Sequence, residues 1–167
     1  DQNVERLLNL INQLLDFRKT ENKGFKLNPV ECSVGSIIRS VYKRFTTLVN
    51  QKGIELKVEI PEEELLASVD KEALTKILSN LFTNALKYAQ TYAYLSLSVD
   101  EAGKEFTIVM SNDGKIIPIE MRENIFRPFV QYRDGKDIVP GTGIGLALAR
   151  SLAELHQGTL TMDQDME

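Results

Sequence analysis

Four groups of residues in this chain are of types that do chemistry when brought together. The first is Gly141-Thr142-Gly143-Ile144-Gly145-Leu146, followed by an apolar helical pattern. Alternating glycines leave the backbone bare, so a phosphate can reach the peptide N–H groups, with the positive end of the following helix dipole behind them. A plain tight turn is the alternative for such a loop in isolation. The second group is Asn80, Asn84, Lys87 and Tyr88. Asn80 and Asn84 are one helical turn apart and share a face. An amide oxygen is a hard, neutral ligand suited to Mg²⁺, which takes few protein ligands and keeps several waters. Lys87 can neutralise phosphate charge. A solvated polar face is the alternative, but Asn is a poor residue for a helix interior.

The third group is Ser111-Asn112-Asp113-Gly114-Lys115-Ile116-Ile117-Pro118. An Asn or Asp at a strand end can read the edge of a base, and Ile116 and Ile117 can wall its face; an ordinary Asx turn is the alternative. The fourth is Ile125-Phe126-Arg127-Pro128-Phe129, whose aromatics can anchor the base of a mobile lid over Val130 to Pro140, or simply be core. Together the groups point to an ATP site.

The elements that must position these groups are legible in the periodicity. Residues 3–19 read as an amphipathic helix through Val4, Leu7, Leu8, Ile11, Leu14 and Leu15, with Leu10 and Phe17 broadening the stripe. Such a face needs a partner helix, or else packs on its own domain. Ser33 is the expected N-cap of a helix carrying Val34, Ile37, Ile38, Val41, Phe45, Leu48 and Val49, which Gly53 ends. Ile54 to Ile60 alternates as a strand, and Pro61 to Glu64 is a loop. Asp70 caps the Asn-bearing helix, Lys71 to Ala89. Strands are expected at Tyr92–Val99 and Phe106–Ser111, joined by a turn at Asp100 to Lys104. A short helix near Glu120 to Phe126 follows, then a helix over Ile144 to His156 with Gly158 as its C′ residue, then a strand from Thr159 to Met162. Helices and strands mix without strict alternation. The expected fold class is α+β, a two-layer sandwich with helices on one face of a mixed sheet.

Composition bounds the rest. The chain has 167 residues, 43% of them hydrophobic, enough for one domain plus an appendage with a sizeable core. A net charge of −4 disfavours nucleic-acid binding as the main activity. The single cysteine, Cys32, rules out an internal disulfide or a Cys-based zinc cluster and is expected to pack rather than react. No apolar run approaches the roughly 20 residues that span a bilayer, and no signal peptide opens the chain. A cytoplasmic piece of something longer is expected.

The order of the groups resembles the catalytic and ATP-binding domain of bacterial sensor histidine kinases, of the GHKL superfamily. Asn80 to Tyr88 resembles the N box, Asn112 to Pro118 the first glycine box, Phe126 to Phe129 the F box and Gly141 to Leu146 the second glycine box. The resemblance covers about residues 33–162. The opening helix resembles the second helix of the dimerisation and phosphotransfer hairpin, dividing the chain into residues 1–24 and a catalytic domain over 25–167. The fold it implies is the Bergerat-type ATP-binding fold. It implies that Asn84 holds Mg²⁺, that Lys87 touches phosphate, that Asn80 supports the phosphate end, and that Tyr88 lines the nucleotide. It implies that Gly141, Gly143 and Gly145 cradle phosphates beside Thr142, Ile144 and Leu146. Asn112, Asp113, Gly114, Ile117, Phe126 and Phe129 would complete the ATP site, and Val130 to Pro140 would close over it. The implied partners are ATP, the hairpin carrying the acceptor histidine, a response-regulator receiver domain and a second copy of the parent. That parent would sit at the inner membrane with this part on the cytoplasmic side.

The sequence departs from the family in places. Asn112 stands where Asp commonly accepts from the adenine amino group, with Asp113 as another reader; Ile116 replaces a glycine; and Gln131 replaces a frequent Arg, with Arg127 and Arg133 as possible substitutes. The only histidine, His156, lies at a helix end, poorly placed for a phosphoacceptor, so the chain is expected to lack its own substrate. It is also expected to stop short of the family's last strand. Related gyrase, chaperone and mismatch-repair ATPases use a Glu on the Asn-box helix to activate water. Here Glu72 is two turns before Asn80 and residue 79 is Ser, which disfavours hydrolysis. A non-catalytic interaction module of the same fold is the remaining alternative.

Overall fold

A computed structural model describes residues 1–22, 24–132 and 141–162. The chain groups into two compact units, Asn28–Lys115 and Asp1–Leu27 with Ile116–Glu167.

The unit Asn28–Lys115 holds two helices and five strands: β1 (Val30–Ser33), α2 (Val34–Lys52), β2 (Glu55–Glu59), β3 (Leu66–Val69), α3 (Lys71–Tyr88), β4 (Tyr92–Val99) and β5 (Phe106–Asn112); α1 precedes them in the chain, at Gln2–Glu21. The helices start where cap chemistry dictates. Ser33 accepts from Ser36 N–H at 3.2 Å and Asp70 from Ala73 N–H at 3.0 Å, each satisfying one of the N–H groups a helix start leaves unpaired. The central sheet is mixed, in the order β2-β4-β5: β2 runs parallel to β4 (Glu55↔Tyr92) and β4 antiparallel to β5 (Val99↔Phe106). A separate antiparallel ribbon pairs β1 with β3, Val30 against Val69. The core is built from the apolar faces of α2 and α3 and the inward residues of β4. Ile38, Leu78, Phe82 and Leu95 are fully buried, and Phe45 stacks on Phe82 with ring centroids 5.3 Å apart. Cys32 packs half-buried against this core. Helices and mixed sheet make the expected α+β class, whereas β1 and β3 were not expected.

In the other unit α1 packs along α4, Gly145–Leu155. Leu10, Gln13 and Phe17 of α1 are half-buried, while Val4, Leu7, Leu8 and Leu15 are each more than half exposed. One face of α1 therefore packs within its unit, and the leucine stripe stays open. The helix expected near Glu120 to Phe126 is instead two 3₁₀ turns, Ile119–Met121 and Asn124–Phe126, because Pro118 opens the segment and no side chain caps either turn. α4 ends on a left-handed residue, but Gln157 (φ 60°) takes that role, not Gly158. Gln157 N–H reaches Glu154 O and Gly158 N–H reaches Ala153 O, both at 2.9 Å, so Gly158 is one place beyond the C′ position. Residues 159–162 form no strand. No described helix is long and apolar enough to cross a membrane.

Candidate functional site

Four turns of α3 bury Leu74, Ile77, Leu78, Phe82, Ala85 and Leu86, which turns the intervening Asn80, Asn84 and Lys87 to the half-buried rim. The two asparagines differ. Asn80 Nδ2 donates to Lys76 O at 3.0 Å, so that amide is turned back on its own helix. The Asn84 side chain makes no hydrogen bond to another described residue. Its amide oxygen is available to a cation. The Lys87 ammonium lies 4.8 Å from the Tyr88 ring centre, and Tyr88 as a residue is 40% exposed.

The end of β5 meets the end of α3. A Cβ on Gly114 would lie 2.3 Å from Tyr88 O, so only glycine lets the two backbones approach. Asn112 Oδ1 accepts from Gly114 N–H at 2.9 Å, which is the Asx turn. Asp113 is occupied elsewhere. Its carboxylate accepts from the Thr91 hydroxyl, from Gln90 N–H at 2.8 Å and from Thr91 N–H at 2.9 Å. The Thr91 hydroxyl, followed by the N–H groups of residues 90–92, holds the Asp113 carboxyl well below the usual carboxylate range. Asp113 thus clamps β5 to the turn after α3, leaving Asn112 as the side chain at this strand end with a donor to offer. The clamp was missed in the sequence, although a signal existed. A turn at Asp100 to Lys104 sets the hairpin register, and that register carries Asp113 back opposite Tyr92, next to Thr91.

The other unit carries the aromatic pair and the glycine loop. Phe126 is buried, with the Arg150 guanidinium 4.8 Å from its ring centre and Arg150 paired to Glu123 at 2.9 Å. Phe129 is 66% exposed with φ 66°. Of the two expected anchors, one is core and one is not. Phe129 N–H donates to Gly143 O at 2.8 Å, and Gln131 Nε2 donates to Gly141 O at 2.6 Å, so two rungs tie the aromatic segment to the glycine loop. Gln131 is thereby engaged with backbone. Arg133 and the rest of 133–140, most of the expected lid, lie outside the described residues.

The glycine loop leads into α4 through Ile144, which is fully buried and offers no side-chain cap. The first N–H groups of α4 are left for an anion. Thr142 Oγ donates to Gln13 Oε1 at 2.7 Å and accepts from Ile144 N–H at 3.3 Å, a link to α1 that the sequence did not announce. His156 ends α4 with its Nδ1 2.8 Å from Leu152 O, a helix-terminal residue as expected.

The chain is 28% identical over 97% of its length to histidine kinase P4 of Formosa agariphila and 32% identical over 93% to the virulence sensor protein BvgS of Bordetella parapertussis. It spans only 12% and 13% of those two proteins. Among solved structures, full-length ShkA in complex with AMPPNP superposes with a TM-score of 0.81 at 25% identity, over 95% of this chain and 33% of that one. The nucleotide-free catalytic domain of histidine kinase ThkA superposes with a TM-score of 0.65 at 26% identity, over 77% and 82%. Residues 69–166 match the family described as histidine kinase-, DNA gyrase B- and HSP90-like ATPase. That match spans α3, the strand end and the glycine loop, and it makes the chain a member of this ATP-binding family.

Proposed function

We propose that this chain is the ATP-binding catalytic part of a sensor histidine kinase, with residues 1–24 as the second hairpin helix and 25–167 as the catalytic domain. The observation that carries the reading is α3, where Asn84 keeps its amide oxygen unengaged three residues before Lys87 in a chain of this family. Magnesium fits that donor set. Among the described residues no three His, Cys, Asp or Glu gather as a metal site, so one amide, water and the phosphates would hold it. Bound there, it would neutralise phosphate charge.

The chain's own residues do the positioning that phosphoryl transfer chiefly requires. Lys87 offers an ammonium to phosphate oxygens, and in the other unit the uncapped N–H groups of α4 offer donors to an anion. Asn80 supports the phosphate end, Tyr88 offers its exposed surface to the nucleotide, and Asn112 meets the base. Asp113, Gly114 and Ile117, with Phe126, Phe129, Gly141 to Leu146, complete the nucleotide contacts. The acceptor imidazole, on the preceding hairpin helix, attacks the terminal phosphorus in line; the bond to the bridging oxygen breaks and ADP leaves. A receiver-domain aspartate of a response regulator then takes the phosphoryl group. The open stripe of Val4, Leu7, Leu8 and Leu15 suits packing in a hairpin bundle, including a second copy of the parent. Anchoring of that parent in the inner membrane belongs to the same proposal.

A second reading is a nucleotide-binding interaction module with degraded catalysis, favoured by the engagement of Gln131 with Gly141. Calorimetric titration with Mg-ATP separates the two. Asn84→Ala is expected to weaken Mg-nucleotide binding at least tenfold, about 1.4 kcal/mol. Equal affinity in variant and wild type refutes the metal role.

A further inference from the structure

An Asn or Asp at a strand end can read the edge of a base, and the structure shows what the Asn112 amide presents there. A backbone N–H can only donate, so the Gly114 N–H at 2.9 Å fixes which end of the Asn112 amide faces it: the oxygen turns inward. The NH₂ group is left with no partner among the described residues, on a side chain that is exposed. A side chain at position 114 would not fit this turn. Gly114 is pressed between Tyr88 O and the Asn112 amide, where a Cβ would stand 2.3 and 2.6 Å from oxygen. Nor can the neighbour substitute, since the Asp113 carboxylate is held by Gln90 and Thr91.

Purine edges differ in sign. Adenine carries an amino donor at C6 and an acceptor at N1; guanine and hypoxanthine carry an oxygen acceptor at C6 and an N–H at N1. A carboxylate, which only accepts, pairs with the amino group and repels the C6 oxygen, so it discriminates by both attraction and repulsion. The Asn112 amide has no charge to repel that oxygen, and its outward NH₂ donates to it. The second lone pair of Oδ1 remains for an amino group. We propose that Asn112 is a specificity-determining residue that admits 6-oxopurine nucleotides, GTP and ITP, alongside ATP. The proposal rests on the reading of this chain as a nucleotide site.

Three nucleotides test it. In calorimetric titrations of the chain with Mg-ATP, Mg-GTP and Mg-ITP, the dissociation constants are expected to agree within about threefold. Asn112→Asp keeps an acceptor for Gly114 N–H, so the turn is preserved. It is expected to retain ATP while weakening GTP and ITP about tenfold or more. ITP lacks the 2-amino group of GTP, so loss of GTP with ITP retained assigns rejection to bulk at C2 and overturns the proposal for guanine. ATP preferred about tenfold over both by the wild type, or an unchanged ratio in Asn112→Asp, overturns it entirely while leaving the ATP site standing. Binding of none of the three overturns the nucleotide reading itself. The wild-type ratio decides even where the variant fails to fold, which its melting curve would report.

Discussion

Gly143→Ala is expected to be costly for two separable reasons. Gly143 has φ 70°, where an L side chain costs roughly 1–2 kcal/mol against backbone sterics. The added methyl would also stand 2.9 Å from Phe129 Cα, closer than Cβ atoms approach other atoms, and 3.0 Å from its carbonyl carbon, an unusually tight contact. These neighbours are backbone and cannot rotate aside. Phe129 is itself fixed by its N–H on Gly143 O at 2.8 Å, so relief means breaking that bond or moving the chain. Overpacking of this kind costs about 1–3 kcal/mol. The sum is about 2–5 kcal/mol, a large share of the roughly 5–15 kcal/mol that keeps a domain folded. In a chain of this size it lowers the melting midpoint by about 4–20 °C, at some 2–4 °C per kcal/mol. Gly53→Ala supplies the control. Gly53 has φ 63° but nothing within 4 Å of an added Cβ, so only the conformational part, about 1–2 kcal/mol, is lost. Thermal and urea unfolding followed by circular dichroism compares the two. A Gly143→Ala midpoint equal to that of Gly53→Ala refutes the steric part of the reasoning.

Two other outcomes follow from particular contacts. The Asp113 carboxyl, anchored by Thr91 and held below its ordinary value of 3.8, is expected to stay ionised at pH 3 in a carboxyl-carbon NMR titration. Its folded pKa is depressed, so the stability it lends is present above the unfolded value and fades as pH falls below about 4; a titration midpoint near 4 refutes the clamp. Incubated with labelled ATP and Mg²⁺, this chain alone is expected to acquire no acid-labile phosphate, because His156 terminates α4 and its Nδ1 faces Leu152 O. α4's 11 residues separate His156 from the phosphate-facing end by about 16 Å at 1.5 Å per residue. A label that His156→Ala abolishes contradicts this, and adding a hairpin that carries the acceptor histidine is expected to restore transfer.

What was legible in the sequence was what local chemistry determines. Ser33 and Asp70 announce α2 and α3 because a cap needs only its own next turn, and the leucine and isoleucine spacing does the rest. β1 and β3 escaped because four-residue strands carry little alternation, and what makes them strands is Val30 meeting Val69 across the chain. The position of the α4 cap slipped by one because Gln157 accepts the left-handed conformation, which composition alone assigns to glycine. At the site, the Asn80, Asn84 and Lys87 face is a periodic property and is readable. The division of labour between Asn112 and Asp113 is not, since it depends on Thr91, 22 residues away. Phe129 looked like Phe126 in sequence, but its N–H reaches Gly143, which sets its backbone and leaves the ring exposed.

The β4–β5 hairpin also sets an order for assembly. Its turn is prepaid by Asp100, whose carboxylate accepts from Lys104 N–H at 2.7 Å and Glu105 N–H at 2.8 Å, so Val99 meets Phe106 across six residues. The β1–β3 ribbon must close 32 residues before Ser33 meets Leu66. Loop-closure entropy rises as (3/2)RT ln n, which makes that ribbon about 1.5 kcal/mol harder to nucleate than the hairpin. The parallel pairing of β2 with β4 spans a similar distance and waits on α3. Contacts near in sequence form first and distant ones follow, so the hairpin is the cheapest seed in its unit. The strand end that carries Asn112 is thus tied to the earliest-forming part of the sheet, and the ribbon that begins at Val30 is among the last parts to close.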